Sequence, residues 1–254
     1  MSRLLSVFAA LTGLFLSAVL AQAQPTEFKA PPPTPPLAAE NSWVLDLSTG
    51  GRVVIQLRPD AAPASVERIK TLTRQGFYNG LTFFRVVEGF MAQGGDPLNN
   101  GTGSSTLPNI NAEINGLPHV RGAIGMARSQ DLNSANSQFY IMFTPHLQMD
   151  RQYTVIGRVV SGMSFVDAIE RGEPPATPSR IVRASIGSDN VPPMSAEELR
   201  AAAAQLAAAQ RPAAPAGAAG PIGPAEPRPA AGPRPLEPVR APNAPPRRPR
   251  PPQN

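Results

Sequence analysis

The sequence predicts a mainly β domain, a closed antiparallel barrel capped by two α-helices, set between chain ends of a different character. Three observations predict it. From about residue 42 to residue 190, short runs rich in valine, isoleucine and aromatic residues recur between glycine-containing turns. Only two stretches in that span carry helical periodicity. The chain's 32 prolines crowd towards its two ends, which leaves roughly 150 residues in the middle, an ordinary size for one domain with its own core. Closure of the sheet is expected because it removes exposed strand edges.

Composition narrows the functional classes. The 254 residues include no cysteine, which excludes disulfides, thiol catalysis, iron–sulfur ligation and a lipid-modified N-terminal cysteine. The two histidines, His119 and His146, are too few for a histidine-rich metal cluster and read as ordinary loop residues, so no metal is expected. Seven arginines against two glutamates after residue 210 give a surplus that accounts for the whole formal net charge of +5. The remainder is neutral and carries no basic footprint for nucleic acid.

Met1–Ala23 reads as a cleaved secretory signal peptide: Arg3, an apolar run Leu4–Leu20, then Ala21-Gln22-Ala23 as a small-residue cleavage site. An uncleaved anchor is the competing reading, weakened by Ser6, Thr12, Gly13 and Ser17 within the run. Residues 24–41 form a stiff proline-rich linker. Trp43–Leu47 and Arg52–Leu57 flank the turn Ser48-Thr49-Gly50-Gly51 and predict a hairpin, with Trp43 as a packing residue. Pro63 opens a helix whose buried side carries Val66, Ile69, Leu72 and Thr73, and Gly76 ends it. Asn99–Pro108 is a polar loop; no lysine follows its glycines, so it is not a phosphate cradle. Strands follow around Gly122–Ser129, Ser137–Phe143 and Gln152–Val160. A second amphipathic helix is expected over Gly162–Gly172, burying Phe165, Val166 and Ile169, before a last strand Ile181–Ile186.

Two stretches carry chemistry. In Phe83–Asp96 a permanently charged Arg85 sits among Phe83, Phe84, Val86, Val87, Phe90 and Met91, and a guanidinium is costly to bury without a partner. Strand alternation puts Arg85 with Val87, and Met91 with Gln93, on single faces either side of the Glu88-Gly89 turn. Taken alone, this reads as a core hairpin whose arginine pairs with a carboxylate, or as an apolar pocket with Arg85 on its rim. In Ser137–Phe143, Gln138 and Tyr140 are two apart and share a face, again an amide beside an aromatic ring. No G-x-S-x-G nucleophile elbow accompanies them.

The segments Phe83-x-Arg85-Val86-x-x-Gly89-Phe90-Met91-x-Gln93-Gly94-Gly95-Asp96, Gly125-Met126-Ala127, Ser137–Ile141 and Tyr153–Gly157 occur in an order and at spacings that resemble the cyclophilins, peptidyl-prolyl cis/trans isomerases, over about Ser42–Gly187. The forms Met126-Ala127-Arg128 and Asn133–Gln138 are similar to the bacterial periplasmic branch, which suits the signal peptide. The resemblance implies an eight-stranded barrel with two capping helices, an isomerase domain over 42–190, proline-containing polypeptides as substrates and help in the folding of exported proteins. The isomerisation it implies needs no cofactor, so none is expected. By the same resemblance Arg85 matches the catalytic arginine. Phe90, Met91 and Tyr140 match the proline pocket, and Gln93 and Gln138 the glutamines that hold substrate backbone. Ala127 and Arg128 match the rim for residues before proline. Met149 stands where leucine is usual, and Tyr153 where many members have histidine. Phe84, Arg128 and Tyr140 replace a histidine, an asparagine and a phenylalanine, and Gln148 aligns with a tryptophan of drug-sensitive members, so weak cyclosporin inhibition is expected. A monomer is expected.

Ser195-Ala196-Glu197-Glu198 is a capping-box start for a short alanine-rich helix whose faces offer little to pack. Residues 211–254 hold 15 prolines with alanine, glycine and arginine and are expected to be a disordered tail. Its charge suits contact with anionic envelope components. That supplies a competing function: a proline-binding chaperone or envelope-tethered interaction module whose isomerase activity is incidental.

Overall fold

The computed structural model describes residues 33–210; the expected signal peptide, the first part of the linker and the tail from residue 211 lie outside the described residues. Among the described residues there are eight strands: β1 Ser42–Leu47, β2 Gly51–Leu57, β3 Arg85–Val87, β4 Met91–Gly94, β5 Ala123–Met126, β6 Phe139–Met142, β7 Val155–Ser161 and β8 Ile181–Ile186. They form one antiparallel sheet, curled into a half-barrel, in the order β3-β4-β6-β5-β7-β2-β1-β8. The expected hairpin is β1 with β2. Its outer neighbours, β8 and β7, come from the far end of the domain, so the core closes only when the chain is nearly complete.

Period-two alternation gives the sheet two apolar faces. Val86, Ala92, Ile124, Phe139, Ile141 and Ile156 belong to the main core, with Trp43, Tyr78 and Phe83 fully buried among them. Trp43 packs edge-on to Phe139 with ring centroids 4.8 Å apart. The intervening residues Met91, Tyr140, Met142 and Val155 form a second, smaller cluster on the opposite face. This second cluster underlies the candidate site.

Helix α1 (Pro63–Arg74) begins at proline and buries Ser65, Val66, Ile69, Leu72 and Thr73. The second expected helix is shorter than its periodicity suggests: α2 covers only Met163–Asp167. Gly162 enters it in the left-handed region at φ 81°, open to glycine without the steric cost other residues meet. The chain then leaves the helix because Gly172 exchanges two backbone hydrogen bonds with Val86, at 2.8 and 2.9 Å. Val166 and Ile169 are buried as expected, whereas Phe165 is only partly covered.

Helix α3 (Ala196–Ala209) starts at the expected capping box: the Ser195 hydroxyl accepts from the Glu198 backbone N–H, and Glu198 accepts from the Ser195 N–H. Contrary to the reading that it has little to pack, it buries Leu199 completely, and Gln210 donates to the Gly80 carbonyl. The end of the linker is likewise seated, since the Pro35 carbonyl accepts from Gln56 Nε2 at 2.7 Å. No described helix is long and apolar enough to cross a membrane.

Candidate functional site

Residues directly opposed in an antiparallel ladder project on the same face. Arg85 opposes Gln93, Gln93 opposes Tyr140, and Tyr140 opposes Gly125. One row across β3, β4, β6 and β5 therefore runs from a guanidinium through an amide to a phenol. The next row carries Val87, Met91 and Met142. The row's polar groups thus stand beside an apolar floor, as the spacing of Phe83–Asp96 implied.

Around these rows lies a hollow of about 220 Å³ lined by Arg85, Phe90, Met91, Gln93, Ala127, Arg128, Tyr140, Met149 and Tyr153. Nine of the ten residues singled out from the sequence meet there. Gln138, the tenth, lines an adjoining hollow of about 290 Å³ that shares Gln93, Ala127 and Arg128. Its Oε1 accepts from Gln93 Nε2 at 2.9 Å, while its Nε2 donates to the Gly101 and Gly103 carbonyls at 3.1 and 2.8 Å. The wall those carbonyls belong to is folded by Asp96, which is fully buried and accepts from the backbone N–H groups of Leu98, Asn100 and Gly101.

Arg85 is 41 % exposed at the rim, and its Nε donates to Glu173 Oε2 at 2.8 Å. Glu173 stands on the segment that Gly172 straps to Val86, and Arg171 pairs with Glu88 on the β3–β4 turn. Arg85 therefore does pair with a carboxylate, yet the pair is open to solvent and faces a hollow of about 540 Å³ shared by Phe84, Asn99, Glu173 and Pro174. On the opposite rim Arg128 lies 4.5 Å over the Tyr153 ring and donates to the Ser129 and Gln152 carbonyls, so it is held rather than freely solvated.

Both histidines lie in loops, as expected, but neither is idle. His146 packs at a tilt against Phe90, ring centroids 4.6 Å apart, and meets the Gly89 carbonyl through Nε2. His119 is fully buried, with Nδ1 2.9 Å from Asp150 Oδ1 and Nε2 2.9 Å from the Tyr140 hydroxyl. Burial pushes the Tyr140 phenol well above the usual tyrosine range, with Tyr153 adding to the shift. Sequence reasoning missed Glu173, Asp150 and both histidines, each of which meets its partner across a long stretch of chain. Among the described residues no cluster of three or more histidine or acidic side chains could hold a metal.

The chain matches the family model described as cyclophilin type peptidyl-prolyl cis-trans isomerase/CLD over residues 44–186. A probable peptidyl-prolyl cis-trans isomerase of Brucella suis biovar 1 (strain 1330) is 46% identical over 166 residues, which cover 59% of this chain and 84% of that one. Peptidyl-prolyl cis-trans isomerase B of Bacillus subtilis (strain 168) is 38% identical over 129 residues, covering 50% of this chain and 89% of the relative. Among solved structures, a cyclophilin from Hirschia baltica matches with a TM-score of 0.57 and 28% identity over 61% of this chain and 77% of its own. The match in family, relatives and fold falls on the same domain that carries the row from Arg85 to Gly125, and the chain belongs to the cyclophilin-type peptidyl-prolyl cis-trans isomerases.

Proposed function

We propose that this isomerase turns the peptide bond before proline by donating a hydrogen bond from Arg85 to the proline nitrogen, with the ring held against Phe90, Met91, Tyr140 and Met149. The observation that carries this is the single hollow in which a guanidinium at the rim meets an apolar floor. Amide resonance sets a rotation barrier of about 18–20 kcal/mol. As the bond twists, the proline nitrogen recovers its lone pair, so a donor fixed beside it bonds the twisted state more strongly than either planar one. Glu173 takes only the Nε of Arg85, which leaves the terminal guanidinium nitrogens for that bond. Gln93 and Gln138, already bonded to each other, hold substrate backbone so that one end stays still while the other turns. Ala127, Arg128 and Tyr153 edge the side that receives residues before proline. The step needs no nucleophile and no cofactor.

The substrates in this reading are exported polypeptides met in the periplasm, a placement that rests on the signal-like residues 1–23. The enzyme acts as a monomer, and the arginine-rich residues 211–254 serve contact with anionic envelope components. In this reading the half-barrel also closes, which is supported by the segment before β3, where the Gly80 and Phe83 N–H groups donate to the Ile181 and Ser179 carbonyls.

A coupled cis/trans assay on the full chain tests the role of Arg85. Arg85→Ala is expected to lower kcat/KM by about a hundredfold, as removal of one transition-state donor does elsewhere, with unchanged circular dichroism. Turnover within a few-fold of wild type would remove Arg85 from the mechanism.

A further inference from the structure

We infer that His119 is a positioning residue for the proline pocket: with Asp150 behind it, it draws the Tyr140 hydroxyl away from the substrate so that an aromatic face, not a phenol oxygen, meets the proline ring. The inference rests on the pocket as read above and explains how a tyrosine can serve in an apolar wall.

A tyrosine there poses a problem. The residue is only 4% exposed, and a buried hydroxyl without a partner is costly. The oxygen must find a bond either inside the protein or in the pocket. The structure supplies the first. A carboxylate only accepts, so His119 Nδ1–H donates to Asp150, and in the neutral ring Nε2 is left to accept from the Tyr140 O–H. Asp150 Oδ1 also accepts from the His119 backbone N–H at 2.7 Å, so the one oxygen holds both the main chain and the ring of His119.

Space is arranged to match. Gly125, opposite Tyr140 on β5, has no room for a side chain: a Cβ there would lie 2.2 Å from both Cζ and the hydroxyl oxygen of Tyr140. The tip of the phenol therefore lies over the glycine and under His119, while its ring stacks with the imidazole at a 21° interplanar angle. Asp150 directly follows Met149, a wall of the hollow, so the same carboxylate ties the pocket's floor to its rim.

The test is a set of KM and kcat measurements on a proline peptide with the full chain. His119→Leu is expected to raise KM by roughly tenfold, the scale of a buried hydroxyl losing its partner, with kcat nearly unchanged. Gly125→Ala, which leaves His119 intact but displaces the phenol tip, is expected to raise KM in the same way. On the Tyr140→Phe background there is no hydroxyl to hold, so His119→Leu should then cost nothing more. An equal KM penalty on both backgrounds would show that His119 merely fills space, and an unchanged KM in both single variants would likewise overturn the inference. Met91→Ala separates the two levels: if it leaves KM untouched, the pocket reading itself falls and this inference with it, whereas a raised KM there beside a silent His119→Leu defeats the inference alone.

Discussion

The two ends of the functional row differ in how they are held. At one end Tyr140 is buried, backed by the second apolar cluster and tied through His119 to Asp150. At the other end Arg85 stands half in solvent, tied by one ion pair to a strap that borders the sheet. The difference matches the two tasks of the proposed mechanism. Binding a rigid proline ring needs a fixed, dry wall, while donation to a nitrogen that exists as an acceptor only midway through rotation needs a charged group free to leave its resting partner. A guanidinium keeps its charge at every physiological pH and can exchange partners cheaply at the surface.

The comparison predicts unequal costs. At the buried end, Met91→Ala removes a side chain that is 2% exposed, and the domain should lose about 2–5 kcal/mol of stability in chemical denaturation. A loss below about 1 kcal/mol would mean that the second cluster is loosely packed. A smaller effect concerns pH. The folded state keeps the Tyr140 phenol neutral, chiefly by desolvation, while an unfolded tyrosine ionises near 10. The stability this confers is complete below about pH 10 and is lost as pH rises above it. His119, Asp150, Arg128 and Tyr153 surround the group. Denaturation midpoints should therefore fall more steeply above pH 10 for wild type than for Tyr140→Phe, and parallel curves would contradict the burial argument. The smallest effect belongs to the exposed end. Glu173→Ala should change stability by at most about 1 kcal/mol, the range of an exposed ion pair, and should alter kcat/KM only a few-fold. A hundredfold loss would mean that the pair is an essential part of catalysis.

Much of this was legible because it is local. The hairpin β1–β2, the start of α1 at Pro63 and the Ser195 capping box each follow from residues within a few positions of one another. The alternation in Phe83–Asp96 predicted Met91 and Gln93 on one face, and that in Ser137–Phe143 predicted Gln138 and Tyr140 on one face; the ladder is what sets Arg85 opposite Gln93 and Gln93 opposite Tyr140. What was not legible depends on distant partners. Helix α2 stops early because Gly172 pairs with Val86 on another strand, a tertiary demand that outweighs helical periodicity. Helix α3 looked unable to pack because it is mostly alanine, yet Leu199 is fully buried and Gln210 at its end bonds the Gly80 carbonyl. His119 has no local sign of burial, since Tyr140 is 21 residues away and Asp150 31. Glu173 meets Arg85 across 88 residues, so no spacing rule could pair them.

The division of labour between the two ends is tested most directly by exchange NMR on a proline peptide mixed with the full chain, which reads binding and turnover in one sample. With Arg85→Ala, peptide-induced shifts at Met91 and Tyr140 should persist at near wild-type peptide concentrations while the cis/trans exchange rate of the bound peptide falls by about a hundredfold. Exchange at the wild-type rate, or loss of binding in step with exchange, would contradict the assignment of the proline ring to the buried end and of the twisting bond to Arg85.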